Sequence, residues 1–299
     1  LLNLVVIIWA ILCGFWVVRQ RRPAIVLSLG GYAALPAAMG AVLFKVPLVL
    51  AEQHASASAT NRLLTKFAEA AAVPCAGTGL KNEVVTGNPV RGAVLQADRE
   101  GRSLRTDLRW PEHEPVVVVF GGSLGSRRIN EAVWEAATLG ELPVLHHVVG
   151  RRDWPDLPSN LPVNVMACDY DDDLPKAMAA ADLVVCRPGG STVAEIGVLG
   201  VPAALVPLPN APNDHQHRNA QSLVDSGLAV LVPDAEFDGQ RFRDEITQML
   251  SKFRSESHPD VARRARSLGY HDATERVADL ITKHCRSLPA VLEPKDEGL

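Results

Sequence analysis

The feature of this sequence that most restricts its fold is a run of five apolar residues, Val116 to Phe120, that passes directly into a glycine-rich turn. A strand buried on both faces of a parallel sheet has such an unbroken apolar run, because helices cover both faces. Similar short runs alternate with helical patterns along the chain, and this alternation predicts an α/β fold with parallel sheets. The other predicted strands are Ala24–Leu29, Pro47–Ala51, Ala71–Cys75, Val144–Val148, Val163–Met166, Leu183–Cys186, Ala203–Val206 and Ala229–Val232.

The chain is long enough for two domains, because 299 residues exceed the size of most single cores. Asn88-Pro89 interrupts the alternation, and a charged stretch poor in strands follows it. We therefore predict a domain at residues 1–90, a linker region at 91–114, a second domain at 115–286 and a loose tail at 287–299.

Charge and cysteine content exclude several classes of protein. The net charge of -4 gives no reason to expect a nucleic-acid partner. The five cysteines are far apart and none forms a CxxC pair, which argues against a zinc site or a disulfide framework and fits a reducing cytoplasm.

The first eighteen residues are uncharged, and three arginines follow at positions 19, 21 and 22. Eighteen residues fall just short of the ~20 that cross a bilayer. A helix of the globular fold, a transmembrane span and a misplaced reading-frame start are all compatible with the pattern. We favour a helix that docks on a membrane through one apolar side and packs on the first sheet through the other. The docking side contains Ile8, Trp9, Ile11, Leu12, Phe15 and Trp16.

Two segments combine a predicted strand end with small residues. In residues 121–126, glycines let backbone amides approach a phosphate, and the start of the following helix favours its charge, although a tight turn shows the same pattern. In residues 186–195, Glu195 lies about one turn inside the predicted helix and could accept hydrogen bonds from both ribose hydroxyls. Alternatively, Ser191 or Thr192 only caps that helix.

Four further features permit both a functional and a structural interpretation. The polar loop 209–219 carries amide and imidazole groups that suit sugar hydroxyls, although a solvated loop has a similar composition. The acidic run 169–173 resembles a metal–nucleotide signature, but we favour a role in complementing the dipole of the next helix. Arg91 could contact a ligand or form an ion pair, and His146-His147 is predicted to pack within a strand.

Taken in order, these segments resemble the MurG family of transferases in peptidoglycan synthesis. The similarity extends from about Pro23 to Ala278. It implies a fold of the GT-B type, with two Rossmann-like domains, parallel sheets and a cleft between the domains. The matching segments are 29–32, 52–53, 86–91, 121–125, 181–187, 189–195, 205–209, 214–216 and 219–220.

The resemblance implies an inverting transfer of N-acetylglucosamine from UDP-N-acetylglucosamine to undecaprenyl-pyrophosphoryl-N-acetylmuramyl-pentapeptide, on the cytoplasmic face of the cell membrane and without a metal. Carried over by position, Ser123 would contact the diphosphate, Arg91 would line the donor site, and the backbone at Asp171 would contact the uracil. Gln216 would bind the sugar hydroxyls. The rest of the implied nucleotide site is Gly190, Ser191, Thr192, Val193, Ala194 and, on the ribose, Glu195.

Two departures from the family pattern limit these expectations. Ala51 and His54 occupy places where the family has a histidine and an asparagine, so either His54 contacts the donor sugar instead or the donor preference differs. The family also begins with a glycine-rich loop whose histidine is the expected base, and we expect that loop to lie upstream of Leu1. We therefore name no catalytic residue here, and we expect residues 1–299 alone to show no catalysis or very weak catalysis. Another GT-B transferase with a lipid acceptor and a non-catalytic UDP-sugar-binding protein remain alternatives.

Overall fold

The structure is a computed structural model, and it describes residues 2–122, 124–256 and 258–286. It divides into two compact units. The first is formed by residues up to Gln53, by Ala57–Thr86 and by those from Glu275 onward, and the second by His54–Ser56 and Gly87–Thr274. The boundaries proposed from the sequence, at 90/91 and 114/115, stay a prediction.

The first unit contains a sheet of four parallel strands in the order β1-β2-β3-β4. Each strand is short and the two central ones are almost wholly buried, so helices must cover both faces. The elements are α1 (Leu2–Arg21), β1 (Val26–Ser28), α2 (Leu35–Leu43), β2 (Leu48–Ala51), α3 (Ala59–Leu64), β3 (Ala70–Val73) and β4 (Glu83–Val85).

The helix α1 packs mainly on α2, and Val26 of β1 packs against the same apolar cluster as Val18 of α1. A Cβ on Gly14 would lie 2.5 Å from the carbonyl carbon of Pro36, so the two helices touch where that side chain is missing. Val18 is buried with Ala41 next to this contact. Within the described residues, no helix has the length and apolar character needed to cross a membrane.

The second unit contains a sheet of six parallel strands in the order β10-β9-β8-β5-β6-β7. Two helices, Gly92–Glu100 and Leu104–Asp107, lie within residues 91–114 and belong to this unit. The elements are α4 (Gly92–Glu100), α5 (Leu104–Asp107), β5 (Val116–Phe120), α6 (Arg127–Thr138), β6 (Val144–Val148), β7 (Val165–Cys168), α7 (Leu174–Ala180), β8 (Leu183–Cys186), α8 (Gly190–Leu199), β9 (Ala203–Leu205), α9 (His215–Asp225), β10 (Ala229–Leu231), α10 (Gly239–Ser255) and α11 (His258–Ser267).

Helices cover both faces of this second sheet. Alternate residues of β5 point to opposite sides: Val116 and Val118 join a core with α7, α8 and α9, whereas Val117 and Val119 join a core with α6 and α10. The last helix, α12 (Ala273–His284), returns to the first unit, where Leu280 packs on β2 and β3. Two all-parallel sheets between helices confirm the predicted α/β fold.

Candidate functional site

The centre of the second sheet is the point at which its strand order reverses. β5 lies between β8 and β6, and its last residue, Phe120, pairs with Cys186, the last residue of β8. The helices that follow these strands, α6 and α8, pack on opposite faces of the sheet. Their connecting loops therefore diverge and leave a crevice, which is where open parallel sheets bind ligands.

The loop after β5 is built from glycines because the backbone leaves no room for side chains. A Cβ on Gly121 would lie 2.2 Å from the amide nitrogen of Ser126, and one on Gly125 would lie 2.4 Å from the carbonyl oxygen of Val149. Gly125 also has a φ of 79°, in the left-handed region that favours glycine. Ser123, the predicted phosphate contact, lies outside the described residues.

A buried polar network supports this loop from below. Asn130 of α6 donates to the carbonyl oxygen of Val149 and to Asp153, both at 2.9 Å, and accepts from Nε2 of His147 at 3.0 Å. Burial lowers the pKa of His147 to about 3, so its ring is neutral. The network therefore fixes the 149–153 loop, against which Gly125 packs.

The loop after β8 leads into α8 through Gly189. This glycine is the N-cap residue, and neither Ser191 nor Thr192 caps the helix, so the capping alternative is wrong. The first turn of α8 contains no acidic residue. Its amide groups therefore point toward the crevice without a side-chain anion, as do those of α6 among the described residues.

Arg187 joins the two loops, a role that the sequence pattern did not reveal. Its Nε donates to Oγ of Ser126 at 3.1 Å, and its Nη1 donates to the carbonyl oxygens of Val206 and Pro207. It also forms a 2.5 Å ion pair with Asp234. Because these contacts occupy most of the guanidinium, we assign Arg187 to holding the loops in place.

Glu195 and Arg91, both predicted site residues, contact each other. Nε and Nη2 of Arg91 each lie 3.1 Å from Oε1 of Glu195. Glu195 is only 8% exposed, whereas the side chain of Arg91 is largely exposed. Burial raises the pKa of Glu195 above its ordinary value, and Arg91 opposes that shift. Neither contact involves Oε2, the second carboxylate oxygen of Glu195.

Asp171 lies after the edge strand β7, and its carboxylate has a structural role. Oδ2 is 2.8 Å from Nε2 of His146, and Oδ1 accepts from the backbone amide of Asp173 at 2.8 Å. Burial alone would raise the pKa of Asp171, but these hydrogen bonds hold it below its ordinary value. The described residues contain no group of three or more His, Cys, Asp or Glu side chains placed to hold a metal ion.

The start of α9, which follows the polar loop, forms a cluster with residues 54–56, which also belong to the second unit. Asn219 accepts from the amide of Ala55 at 2.9 Å and donates to the carbonyl oxygen of Pro188 at 3.2 Å. Its Nδ2 lies 3.3 Å from Nδ1 of His54, and the ring of His54 lies 4.7 Å from that of His215. The contact with Pro188 connects this cluster to the loop that begins α8.

Gln216 is in the first turn of α9, and its Oε1 accepts from the amide of Leu208 at 2.7 Å. Ala51 is the last residue of β2 in the first unit. The second unit thus gathers Arg91, Glu195 and the start of α8 at one place and His54 at another. The side-chain amide of Asn219 connects these two places, because it contacts both His54 and the carbonyl oxygen of Pro188. In the sequence, only the position of Asn219 beside a polar loop could have indicated this role.

Known proteins resemble this chain along nearly its whole length. Residues 3–73 match the glycosyltransferase family 28 N-terminal domain, and residues 116–277 match the glycosyltransferase family 28 C-terminal domain. Two relatives are named UDP-N-acetylglucosamine–N-acetylmuramyl-(pentapeptide) pyrophosphoryl-undecaprenol N-acetylglucosamine transferase. The one from Tolumonas auensis is 36% identical over 93% of this chain and 78% of its own length. The one from Burkholderia thailandensis is 39% identical over 87% of this chain and 71% of its own length.

Solved structures agree in fold. The chain superposes on Acinetobacter baumannii MurG with a TM-score of 0.71 and 28% identity, covering 93% of this chain and 80% of that one. A UDP-GlcNAc 2-epimerase from Neisseria meningitidis, bound to UDP-GlcNAc, gives a TM-score of 0.64 at 16% identity, with 93% and 81% covered. At that identity the second match shows a shared fold only.

Proposed function

The chain belongs to glycosyltransferase family 28, in the family of the UDP-N-acetylglucosamine–N-acetylmuramyl-(pentapeptide) pyrophosphoryl-undecaprenol N-acetylglucosamine transferases, and on that premise we propose its reaction and donor site. It transfers N-acetylglucosamine from UDP-N-acetylglucosamine to the lipid-linked muramyl-pentapeptide during peptidoglycan synthesis. The acceptor hydroxyl attacks the anomeric carbon, UDP leaves with the bonding electrons, and the configuration at that carbon inverts.

The observation that carries the proposal is the crevice between the glycine-rich loops after β5 and β8. A UDP-sugar requires donors for a diphosphate and acceptors for a ribose within one crevice. The starts of α6 and α8 offer backbone amides for the former, and Glu195 offers a carboxylate for the latter. Negative charge grows on the diphosphate as the bond breaks, so fixed amides aimed at it stabilise the transition state more than the ground state.

The individual roles follow from this placement. We assign Ser123 and the backbone of 121–125 to the diphosphate, and Gly190 to Ala194 with Glu195 to the nucleoside. Arg91 holds the carboxylate of Glu195 in place and favours its charged form, against the effect of burial on its pKa. The backbone at Asp171 is assigned to the uracil, whereas its side chain is occupied by His146. Gln216 and His54 are assigned to the sugar hydroxyls.

For the second substrate we propose that α1 docks on the cytoplasmic face of the membrane, where a lipid-linked acceptor would be met. The inner side of α1 is covered by α2, and the outer side exposes large apolar groups, with Trp9 at 66% and Trp16 at 61%. Arg19 and Arg21 follow at its exposed end. Cations beside an exposed apolar face fit a surface of anionic lipid headgroups, at ~1 kcal/mol for each arginine.

The proposal is tested by measuring UDP release with a panel of UDP-sugars and acceptors, on a protein that also includes the glycine-rich loop expected upstream of Leu1. We expect release only when UDP-N-acetylglucosamine and the lipid-linked muramyl-pentapeptide are both present. Release with another lipid acceptor alone would assign the chain to a different transferase. Binding of the donor without release in any combination would make it a UDP-sugar-binding protein and would refute the proposed reaction.

A further inference from the structure

An arginine and a tyrosine lie against each other at the carboxyl edge of the second sheet. Arg151 follows the end of β6 and Tyr170 follows the end of β7. The guanidinium carbon of Arg151 is 4.9 Å from the centre of the Tyr170 ring, and both residues are exposed. A guanidinium at this distance over an aromatic face is attracted to the ring and stacks on it. Tyr170 therefore holds the guanidinium in place at this edge of the sheet.

This pair adjoins two parts of the donor site proposed above. Gly150, the neighbour of Arg151 in the chain, packs on the glycine-rich loop, and a Cβ on it would lie 2.5 Å from Cα of Gly125. Asp171, the neighbour of Tyr170, is the residue whose backbone is assigned to the uracil. The pair thus lies at the end of the site that would take the base, and what we infer from it rests on the proposed function.

The hydrogen-bond donors of Arg151 are not used within the protein. In the part of the chain that the structure describes, its guanidinium donates no hydrogen bond and has no carboxylate within 4.0 Å. The next residue differs, since Arg152 donates two hydrogen bonds to the carboxylate of Asp153. The backbone amide of Asp171 also donates to no described group. Two donors are therefore available where the base is expected.

The charges around the pair favour an uncharged group over a phosphate. Four carboxylates lie within residues 169–173, and Lys176 pairs with one of them. With Arg151 added, the negative charges still outnumber the positive ones, even when His146 is counted as a cation. A diphosphate would be repelled by this excess of negative charge, whereas uracil is neutral. The donors of Arg151 therefore suit the carbonyl oxygens of a base.

We propose that Arg151 selects the base of the donor by donating to O4 of uracil, and that Tyr170 positions it. Uracil has one carbonyl oxygen, O2, beside its bond to the ribose and another, O4, across the ring. Glu195, assigned to the ribose, follows β8, whereas Arg151 and Tyr170 follow strands on the other side of β5. The oxygen remote from the ribose, O4, therefore points toward the pair. Cytosine carries an amino group in place of O4, which would bring a donor against a donor.

Calorimetry with UDP and CDP on the full chain tests this assignment. The unchanged chain should bind UDP at least about tenfold more tightly than CDP. Arg151→Met keeps an apolar side chain of similar reach but has no donor. It should raise the Kd for UDP roughly tenfold and change that for CDP less than about threefold, so that the preference for UDP is largely lost. Arg254→Met makes the same change at an exposed residue near the end of α10, outside the proposed donor site, and should change either Kd less than about twofold.

Two substitutions of Tyr170 test its positioning role. Tyr170→Phe keeps an aromatic ring beneath the guanidinium and should preserve the preference for UDP over CDP. Tyr170→Ser removes the ring, and it should lower that preference by about threefold or more because the guanidinium is no longer held. A ring with a purely structural role would change the affinity for both nucleotides alike, and their ratio would stay the same. Thermal unfolding of each variant, monitored by circular dichroism, checks that the fold is retained.

Three outcomes would overturn the proposal, and they differ in what else they refute. Equal weakening of UDP and CDP by Arg151→Met would place the arginine on the ribose or the diphosphate, which both nucleotides share. An unchanged preference for UDP in Arg151→Met would remove Arg151 from base recognition, while the proposed function would stand if Glu195→Gln still weakened UDP binding. Absence of UDP binding by the unchanged chain would refute the donor site itself, and the role of Arg151 with it.

Discussion

Replacing Glu195 with glutamine should weaken UDP binding strongly while leaving the fold intact. The substitution keeps the size of a side chain that is 8% exposed but removes its charge, and with it the charged hydrogen bonds proposed for the ribose. Such bonds contribute ~1–3 kcal/mol, so the Kd for UDP should rise roughly 5- to 150-fold. The ion pair itself contributes ~0–1 kcal/mol to folding, because the side chain of Arg91 is 60% exposed.

The pH dependence provides a second signature of the same group. Burial raises the folded-state pKa of Glu195 above 4.5, so the folded protein holds this proton more tightly than the unfolded chain. Its contribution to stability is therefore full below 4.5 and is lost as the pH rises through the raised value. If the carboxylate binds the ribose, UDP affinity should increase with pH through this same window, and Glu195→Gln should remove the increase.

Calorimetry with UDP on the full chain measures both effects, and Glu245→Gln is the matched control. Glu245 is also a buried helical glutamate, and it pairs with an exposed arginine, Arg241, on α10. We expect Glu245→Gln to change the Kd less than twofold. If Glu195→Gln bound UDP as tightly as the unchanged chain, or if both variants lost affinity equally, the assignment of Glu195 to the nucleoside would be refuted.

Three further predictions follow from the loops and the first helix. In urea titrations, Gly125→Ala should lower the free energy of unfolding by ~1–3 kcal/mol more than Gly77→Ala does. Both glycines have a positive φ, but only at Gly125 would an added Cβ clash with a carbonyl oxygen. Equal losses of stability in the two variants would contradict the close packing. In the unchanged chain, the free energy of unfolding should fall as the pH drops from 6.5 toward 3, by up to about 1.4 kcal/mol per pH unit. The pKa of His147 is depressed in the folded state, so in this range the unfolded chain binds a proton that the folded protein does not. An equally steep fall in His147→Gln would assign the pH dependence to other groups. Trp16→Ser should weaken flotation with anionic liposomes at all salt concentrations and Arg21→Glu chiefly at low salt, whereas full binding by both would exclude α1 as the contact.

The strands of the second sheet could be predicted because each is marked by a short run of apolar residues within the strand itself. β6 and β8 begin and end where the apolar runs do. β7 begins two residues later than predicted, because Val163 is 99% exposed and an apolar residue in a loop cannot be told from one in an edge strand. The helices α4 and α5 were missed because they are short and lie in a charged stretch of the chain.

Arg105 illustrates why a charged segment can belong to a folded unit. Its guanidinium is 3% exposed and donates to the carbonyl oxygens of Ala180 and Pro111 and to Asp182. From the sequence alone this arginine would be expected on the surface, yet its hydrogen bonds hold the chain in place where β5 and β8 begin. Similarly, the sequence motifs predicted that Glu195 and the glycines of residues 121–125 belong to the donor site, but they could not reveal the roles of Arg187 and Asn219. Those side chains act on backbone carbonyls of other loops, and only the order of the strands brings these loops together.

The central claim is the transfer of N-acetylglucosamine to a lipid-linked muramyl-pentapeptide with inversion, and the product of that reaction tests it most directly. A protein that also includes the glycine-rich loop expected upstream of Leu1 is incubated with UDP-N-acetylglucosamine and the acceptor, and the lipid product is analysed by mass spectrometry and by the proton coupling of its new anomeric centre. We predict a product heavier by one N-acetylhexosamine residue, with the new linkage in the β configuration. Recovery of unmodified acceptor, or of an α-linked product, would contradict the account.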